Sequence, residues 1–141
     1  MNNIDDIIKG IEEDFSMFDE WVDKYAYIID LGHNLPIIDQ KYKDEDHLIR
    51  GCQSQVWLSA EKDTEGNIIF RADSDAIITK GIIALLVSVL SGQKPKDVAQ
   101  ADLSFIDRIG LSSHLSPTRA NGLSEMIRQM KYYAAAYASQ E

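Results

Sequence analysis

The chain has 141 residues, 45% hydrophobic and 26% charged, which is the size and balance of one globular domain with one core, so residues 1–141 are read as a single domain. With 14 basic and 23 acidic side chains the formal net charge is −9, a sign that repels phosphate backbones and argues against a nucleic-acid partner. No apolar run approaches the roughly 20 residues needed to cross a bilayer, and the first segment, with Asp5, Asp6, Glu12 and Glu13, lacks the basic-then-apolar pattern of an export signal, so neither membrane insertion nor secretion is expected.

Ile4, Ile7, Ile8, Ile11, Phe15 and Phe18 recur at helical steps, with Asp5 and Asp6 in the first turn where the helix dipole favours carboxylates. Trp21, Tyr25, Ile28 and Ile29 continue that spacing to Leu31 and Gly32, where a left-handed glycine is expected to close a second helix. From Gly32 to Arg50, Pro36 and the mixed-charge stretch Asp39 to His47 read as a surface loop.

Val56, Leu58 and Ala60 alternate with Trp57 and Ser59, and after Thr64-Glu65-Gly66-Asn67 the alternation resumes through Ile68, Phe70 and Ala72, which predicts an antiparallel hairpin. Leu48 and Ile49 are assigned to a short third strand, because an isolated hairpin is marginally stable.

Asp73, Ser74 and Asp75 are good N-caps for the run Ile77 to Leu90, whose apolar residues on most faces predict a core helix. After Ser91-Gly92, Pro95 opens a short helix to Ala101 and Asp102 caps another to Gly110. Ser116-Pro117 start a long amphipathic helix with the stripe Leu123, Met126, Ile127, Met130, Ala134 and Tyr137. Without a repeating strand-helix-strand unit, the chain reads as an α+β two-layer domain, a small antiparallel sheet of about three strands against several helices.

Chemistry is limited by one thiol. Cys52 forms no intrachain disulfide and suits a reducing, cytoplasmic compartment. Together with His33, His47 and His114 it offers too few ligands for an iron–sulfur cluster or structural zinc within one chain, so no metal is expected. Phosphate-loop, Cys-x-x-Cys, His-Glu-x-x-His and Gly-x-Ser-x-Gly patterns are absent, and each histidine reads as a surface or capping residue.

Arg50-Gly51-Cys52-Gln53-Ser54-Gln55 sets the cysteine at a loop–strand junction among polar neighbours, beside a glycine that permits unusual backbone angles. A free thiol of pKa about 8.5 is a few per cent thiolate at neutral pH, and Arg50 or a nearby histidine would raise that fraction. From the residues alone several readings stand: a reactive loop thiol, an enzyme in which Cys52 is the nucleophile and His114 or His33 the base, or a noncatalytic acidic adaptor in which Cys52 packs as a small hydrophobe.

The heptapeptide Gly51-Cys52-Gln53-Ser54-Gln55-Val56-Trp57 resembles the signature of the SufE family of cysteine desulfuration proteins. Leu31-Gly32 with Leu35-Pro36, Asp73-Ser74-Asp75-Ala76 leading to Lys80-Gly81, and His114 to Arg119 with Gly122-Leu123 resemble the family in the same order, though Asp30 stands where other members tend to have glutamate. The resemblance implies one SufE-like α+β domain whose loop cysteine is sheltered in an apolar recess. It further implies that Cys52 accepts persulfide sulfur from a pyridoxal-phosphate-dependent cysteine desulfurase of the SufS type, stimulates that enzyme, and passes sulfur to a downstream iron–sulfur scaffold. The chain is then a sulfur-transfer partner rather than a stand-alone enzyme, with no cofactor of its own. Arg50, Gly51, Gln53, Ser54 and Gln55 are expected to shape the loop, with a conformational step at Gly51. Asp75, His114 and Arg119 are expected toward the partner by the resemblance, but capping the core helix is the simpler account of Asp75, and Arg119, which could orient the loop or a partner carboxylate through its planar fork, is equally placed for packing at the helix end.

Overall fold

Helix α1 (Ile4–Ser16) buries Ile4, Ile8, Ile11 and Phe15, one apolar stripe, and starts where the Asn3 side chain accepts the Asp6 N–H at 2.8 Å. The computed structural model of the chain describes residues 3–52 and 54–140. Phe18 falls beyond the end of α1, where its ring packs near Tyr27.

Helix α2 (Trp21–His33) does not end on a left-handed Gly32. That glycine is helical and buried, and Asn34 takes the C-cap. The reason is a close crossing with helix α3 (Ile77–Leu90): a Cβ on Gly32 would sit 3.1 Å from the Gly81 nitrogen, and one on Gly81 would sit 2.3 Å from the Ile28 carbonyl oxygen. Two glycines let the helix backbones approach where side chains would hold them apart.

Helix α3 is buried around nearly its whole circumference, from Thr79 through Leu90, and packs on α1, on α2 and on the hairpin. Strands β1 (Val56–Lys62) and β2 (Ile68–Ser74) pair antiparallel from Val56↔Ser74 to Lys62↔Ile68, and Leu58, Phe70 and Ala72 on one face reach the core. The sheet has two strands rather than three. Leu48 and Ile49 contribute only a bridge to Trp57, with the Ile49 N–H donating to the Val56 carbonyl at 2.8 Å, because the chain turns away at Gly51 (φ +90°).

The segment expected as a surface loop is partly core. Leu35, Ile38 and Ile49 are buried, and short 3₁₀ turns at Gln40–Tyr42 and Glu45–His47 are capped by the Asp39 and Asp44 side chains. This segment also covers the outer edge of β2: the Ala72 N–H donates to the Pro36 carbonyl and the Ile38 N–H to the Ala72 carbonyl, each at 3.2 Å. Further along that edge the Ile68 N–H reaches the Gln93 carbonyl at 2.9 Å, and the Phe70 N–H reaches Ser91 Oγ at 2.9 Å.

Helix α4 (Pro95–Ala99) and helix α5 (Phe105–Arg108) are shorter than their sequence patterns. Asp102 stands outside α5, accepting the Ser104 N–H. Helix α6 (Pro117–Ala138) begins as expected, with Ser116 Oγ accepting the Arg119 N–H, and buries Leu123, Met126, Met130 and Ala134, leaving Ile127 and Tyr137 partly covered. Near its far end the Tyr137 hydroxyl donates to the Ala60 carbonyl of β1 at 3.0 Å. Among the described residues no helix is long and apolar enough to cross a membrane.

Gly81→Ala is expected to cost on the order of 3 kcal/mol by forcing α2 and α3 apart, since overpacking against backbone has no rotamer escape. Gly10→Ala, with open space around the new methyl on the exposed face of α1, is expected to stabilise by about 1 kcal/mol. Urea unfolding of the two variants checks both signs.

Candidate functional site

The only thiol sits where the chain leaves the Gly51 turn to enter β1, and it is half-buried. Its recess is lined by Ser54 of the loop, Thr79 and Ile82 of α3, and Thr118, Arg119, Gly122 and Met126 of α6. The free volume is about 10 Å³, room for one water-sized atom. Positions 118, 122 and 126 recur at four-residue steps, so one stripe of α6 faces the thiol.

The close approach depends on Gly122. A Cβ there would lie 3.2 Å from Cys52 Sγ, and the thiol sits 3.7 Å from the Gly122 carbonyl, its acceptor. One residue upstream, Asn121 Nδ2 donates to the Gly51 carbonyl at 3.0 Å, and a Cβ on Gly51 would lie 2.9 Å from Glu125 Cγ. The left-handed Gly51 backbone is therefore pressed against α6 in a way other residues would resist, on grounds of both φ and space.

The electrostatics run opposite to the expected activation. Burial pushes the Cys52 thiol up, and the Glu125 carboxylate adds to the shift by disfavouring a second negative charge. Neither Arg50, which is exposed, nor any histidine figures among the influences on the thiol. At neutral pH the resting cysteine is held as a neutral thiol.

The remaining expected site residues separate into two groups. Ser54 and Arg119 share the recess with Cys52, and Gln55 closes the other end of the loop through Asp75. Asp75 is not the helix cap it was expected to be. Ala76 occupies that position without a side-chain cap, while Asp75 Oδ1 accepts the Gln55 N–H at 3.0 Å and the Asp75 N–H donates to the Gln55 carbonyl, extending the hairpin ladder by one pair. Its neighbour Asp73 is ion-paired with Lys43 and Lys80.

His114 belongs to the second group. Its ring stacks on Trp21 with centroids 3.7 Å apart, its Nδ1 lies 3.0 Å from the Gly110 carbonyl, and its own carbonyl accepts the Tyr25 hydroxyl. It ties the approach to α6 onto α2 and does not line the recess. Gln53 lies outside the described residues.

Reasoning from the sequence does not find Asn121, Gly122 or Glu125 as partners of the thiol, and they lie about 70 residues away along the chain. The only signal is the glycine of Gly122-Leu123 inside an otherwise helical pattern, which marks a close approach. Among the described residues, no group of three or more His, Cys, Asp or Glu side chains gathers to hold a metal ion. A separate cleft of about 570 Å³ shares no residue with the cysteine recess; it lies over the polar face of the hairpin, where Arg71 pairs with Glu61 and His47 with Asp44.

Fold and site define a small α+β protein that presents one loop cysteine at a tight recess. Residues 9–134 match the family model of SufE, the Fe–S metabolism associated domain, and the chain belongs to the SufE family. An uncharacterized SufE-like protein of Rhizobium meliloti (strain 1021) is 40% identical over 135 residues, covering 93% of this chain and 94% of the relative. The solution structure of a hypothetical protein from Thermus thermophilus matches with a TM-score of 0.78 at 18% identity, over 94% of this chain and 96% of that one, and shares the fold.

A thiol whose pKa is raised is less ionised at a given pH, so alkylation of the native protein is expected to reach half-maximal rate above the ordinary thiol value of about 8.5. In the urea-unfolded chain the midpoint is expected to return to that value. A pH–rate profile with iodoacetamide under both conditions measures the difference.

Proposed function

We propose that the chain accepts persulfide sulfur on Cys52 from a pyridoxal-phosphate-dependent cysteine desulfurase of the SufS type, stimulates that enzyme by clearing its product sulfur, and passes the sulfur toward iron–sulfur cluster assembly. The observation that carries this reading is the lone thiol of a SufE-family chain, set on a glycine-hinged loop at a recess with space for about one atom.

In the transfer, Cys52 Sγ as thiolate attacks the outer sulfur of the partner's persulfide. The new bond joins Cys52 Sγ to that sulfur, the partner's sulfur–sulfur bond breaks, and the partner's cysteine leaves as a thiolate. The outer sulfur keeps its hydrogen and its oxidation level, so no external oxidant or reductant is required. Pyridoxal phosphate remains with the desulfurase, and this chain supplies only the nucleophile.

A single cysteine suits a carrier, because a second thiol nearby would attack the persulfide and leave a disulfide with loss of the sulfur. Shelter in the recess protects thiol and persulfide from oxidation, which follows thiolate character and exposure. A reducing compartment such as the cytoplasm fits this chemistry. His114 stacks on Trp21 and no histidine lines the recess of Cys52, which favours sulfur acceptance over a cysteine nucleophile with His114 or His33 as its base.

Cys52 must leave its recess for in-line attack, and the hinge is Gly51. Asp75, paired with Gln55 at the end of the loop, and Arg119, at the recess, are both exposed and are the side chains offered to an incoming partner.

Incubation with an active cysteine desulfurase and cysteine is expected to add about 32 Da, one sulfur, to the wild-type chain and nothing to Cys52→Ser, the adduct disappearing with reductant. Intact-mass analysis reads it out. If no adduct forms, and Cys52→Ser still stimulates the desulfurase, the chain is an adaptor in which Cys52 only packs.

A further inference from the structure

The loop that carries Cys52 is held against α6 at positions lying on one side of that helix. Asn121 grips the Gly51 carbonyl at 3.0 Å, Gly122 accommodates the thiol, and Glu125 packs its methylenes where a Gly51 side chain would be. Because residues 121 and 125 are one helical turn apart, the two side chains stand together over the same peptide.

We propose that Asn121 and Glu125 are positioning residues that latch the Cys52 loop shut in the free protein, Asn121 by its hydrogen bond to the Gly51 carbonyl and Glu125 by packing against Gly51, so that docking opens the loop by displacing this pair. The inference rests on Cys52 being the sulfur acceptor and adds what restrains it.

Closure has two separable parts. The amide holds the backbone, which sets how often the loop opens. The carboxylate disfavours the thiolate while the loop is closed, which sets how much of the closed form is reactive. The charged groups around the thiol are few. From α6 come Arg119 at the recess and Glu125, the latter 3.5 Å from the largely exposed Arg128 guanidinium; from the loop comes exposed Arg50; Asp75 stands at the hairpin end. The α3 side of the recess contributes Thr79 and Ile82, which carry no charge. Departure of the loop from α6 therefore removes Cys52 from a negative neighbour and from burial in one movement.

Reaction of the free protein with iodoacetamide across pH, with no desulfurase present, separates the two parts. Asn121→Ala is expected to raise the rate throughout the pH range by about fivefold, the equivalent of one ordinary hydrogen bond, because an exposed helix position accepts alanine without loss of fold. Glu125→Gln keeps the size and the contact with Gly51 and is expected to lower the pH of half-maximal reaction while leaving the high-pH plateau unchanged. Circular dichroism confirms that both variants are folded. Rates and midpoints that follow the wild type in both variants overturn the latch. Because the assay contains no partner, a latch that behaves as stated alongside a missing persulfide adduct would defeat the acceptor reading alone. A normal adduct with unchanged alkylation would defeat the latch alone.

Discussion

A helix that is apolar on almost every face has to be covered on every face, and the demands of α3 organise this molecule. Helix α2 covers it by direct backbone approach through Gly32 and Gly81, the hairpin lays Leu58, Phe70 and Ala72 toward it, and α1 and α6 close the remainder. Each fully buried Leu, Ile or Val contributes about 1.5 to 3 kcal/mol, so a helix with Ile82, Ile83, Leu85, Leu86 and Leu90 buried is a large share of the driving force. The site is a by-product of that covering. Where α6 passes the start of β1, a glycine in the helix leaves space that the cysteine loop occupies.

The elements with strong periodicity are legible in the sequence. The stripe of α1, the span of α3, the hairpin and the Ser116-Pro117 start of α6 follow from local patterns that tertiary contacts had no reason to override. Gly32 misleads because a glycine that ends a helix and one that permits a helix crossing look identical in one dimension; the difference is Gly81, some 50 residues on. Asp75 misleads for a related reason. A carboxylate before a helix suggests a cap, but here it completes the hairpin ladder with Gln55, which is a pairing across the loop. Leu48 and Ile49 have strand character, and the turn at Gly51 stops it after a single bridge.

For the site, the sequence points to the thiol and not to its surroundings. Polar neighbours and Arg50 suggest an activated cysteine, whereas burial and Glu125, brought in from the distant α6, favour the neutral thiol. This agrees with a carrier that meets its sulfur donor as a second protein. A nucleophile that is reactive at all times would be spent on oxidants, and one restrained by its own fold is available on contact. The chain belongs to a family associated with Fe–S metabolism, and in the sulfur transfer proposed above such restraint would guard a reactive cargo.

The covered edge of β2 has a consequence for life at high concentration. An unpaired strand edge is a template on which another chain's strand can assemble, the first step toward fibrils or swapped dimers. Here the outward N–H groups of Ile68, Phe70 and Ala72 are engaged by Gln93, Ser91 and Pro36, the first two from the turn after α3 and the last from the segment after α2, while Tyr137 occupies the Ala60 carbonyl on the far strand. With those donors engaged, the edge of β2 offers little purchase to a neighbouring strand, which lowers the tendency of crowded copies to pair along it.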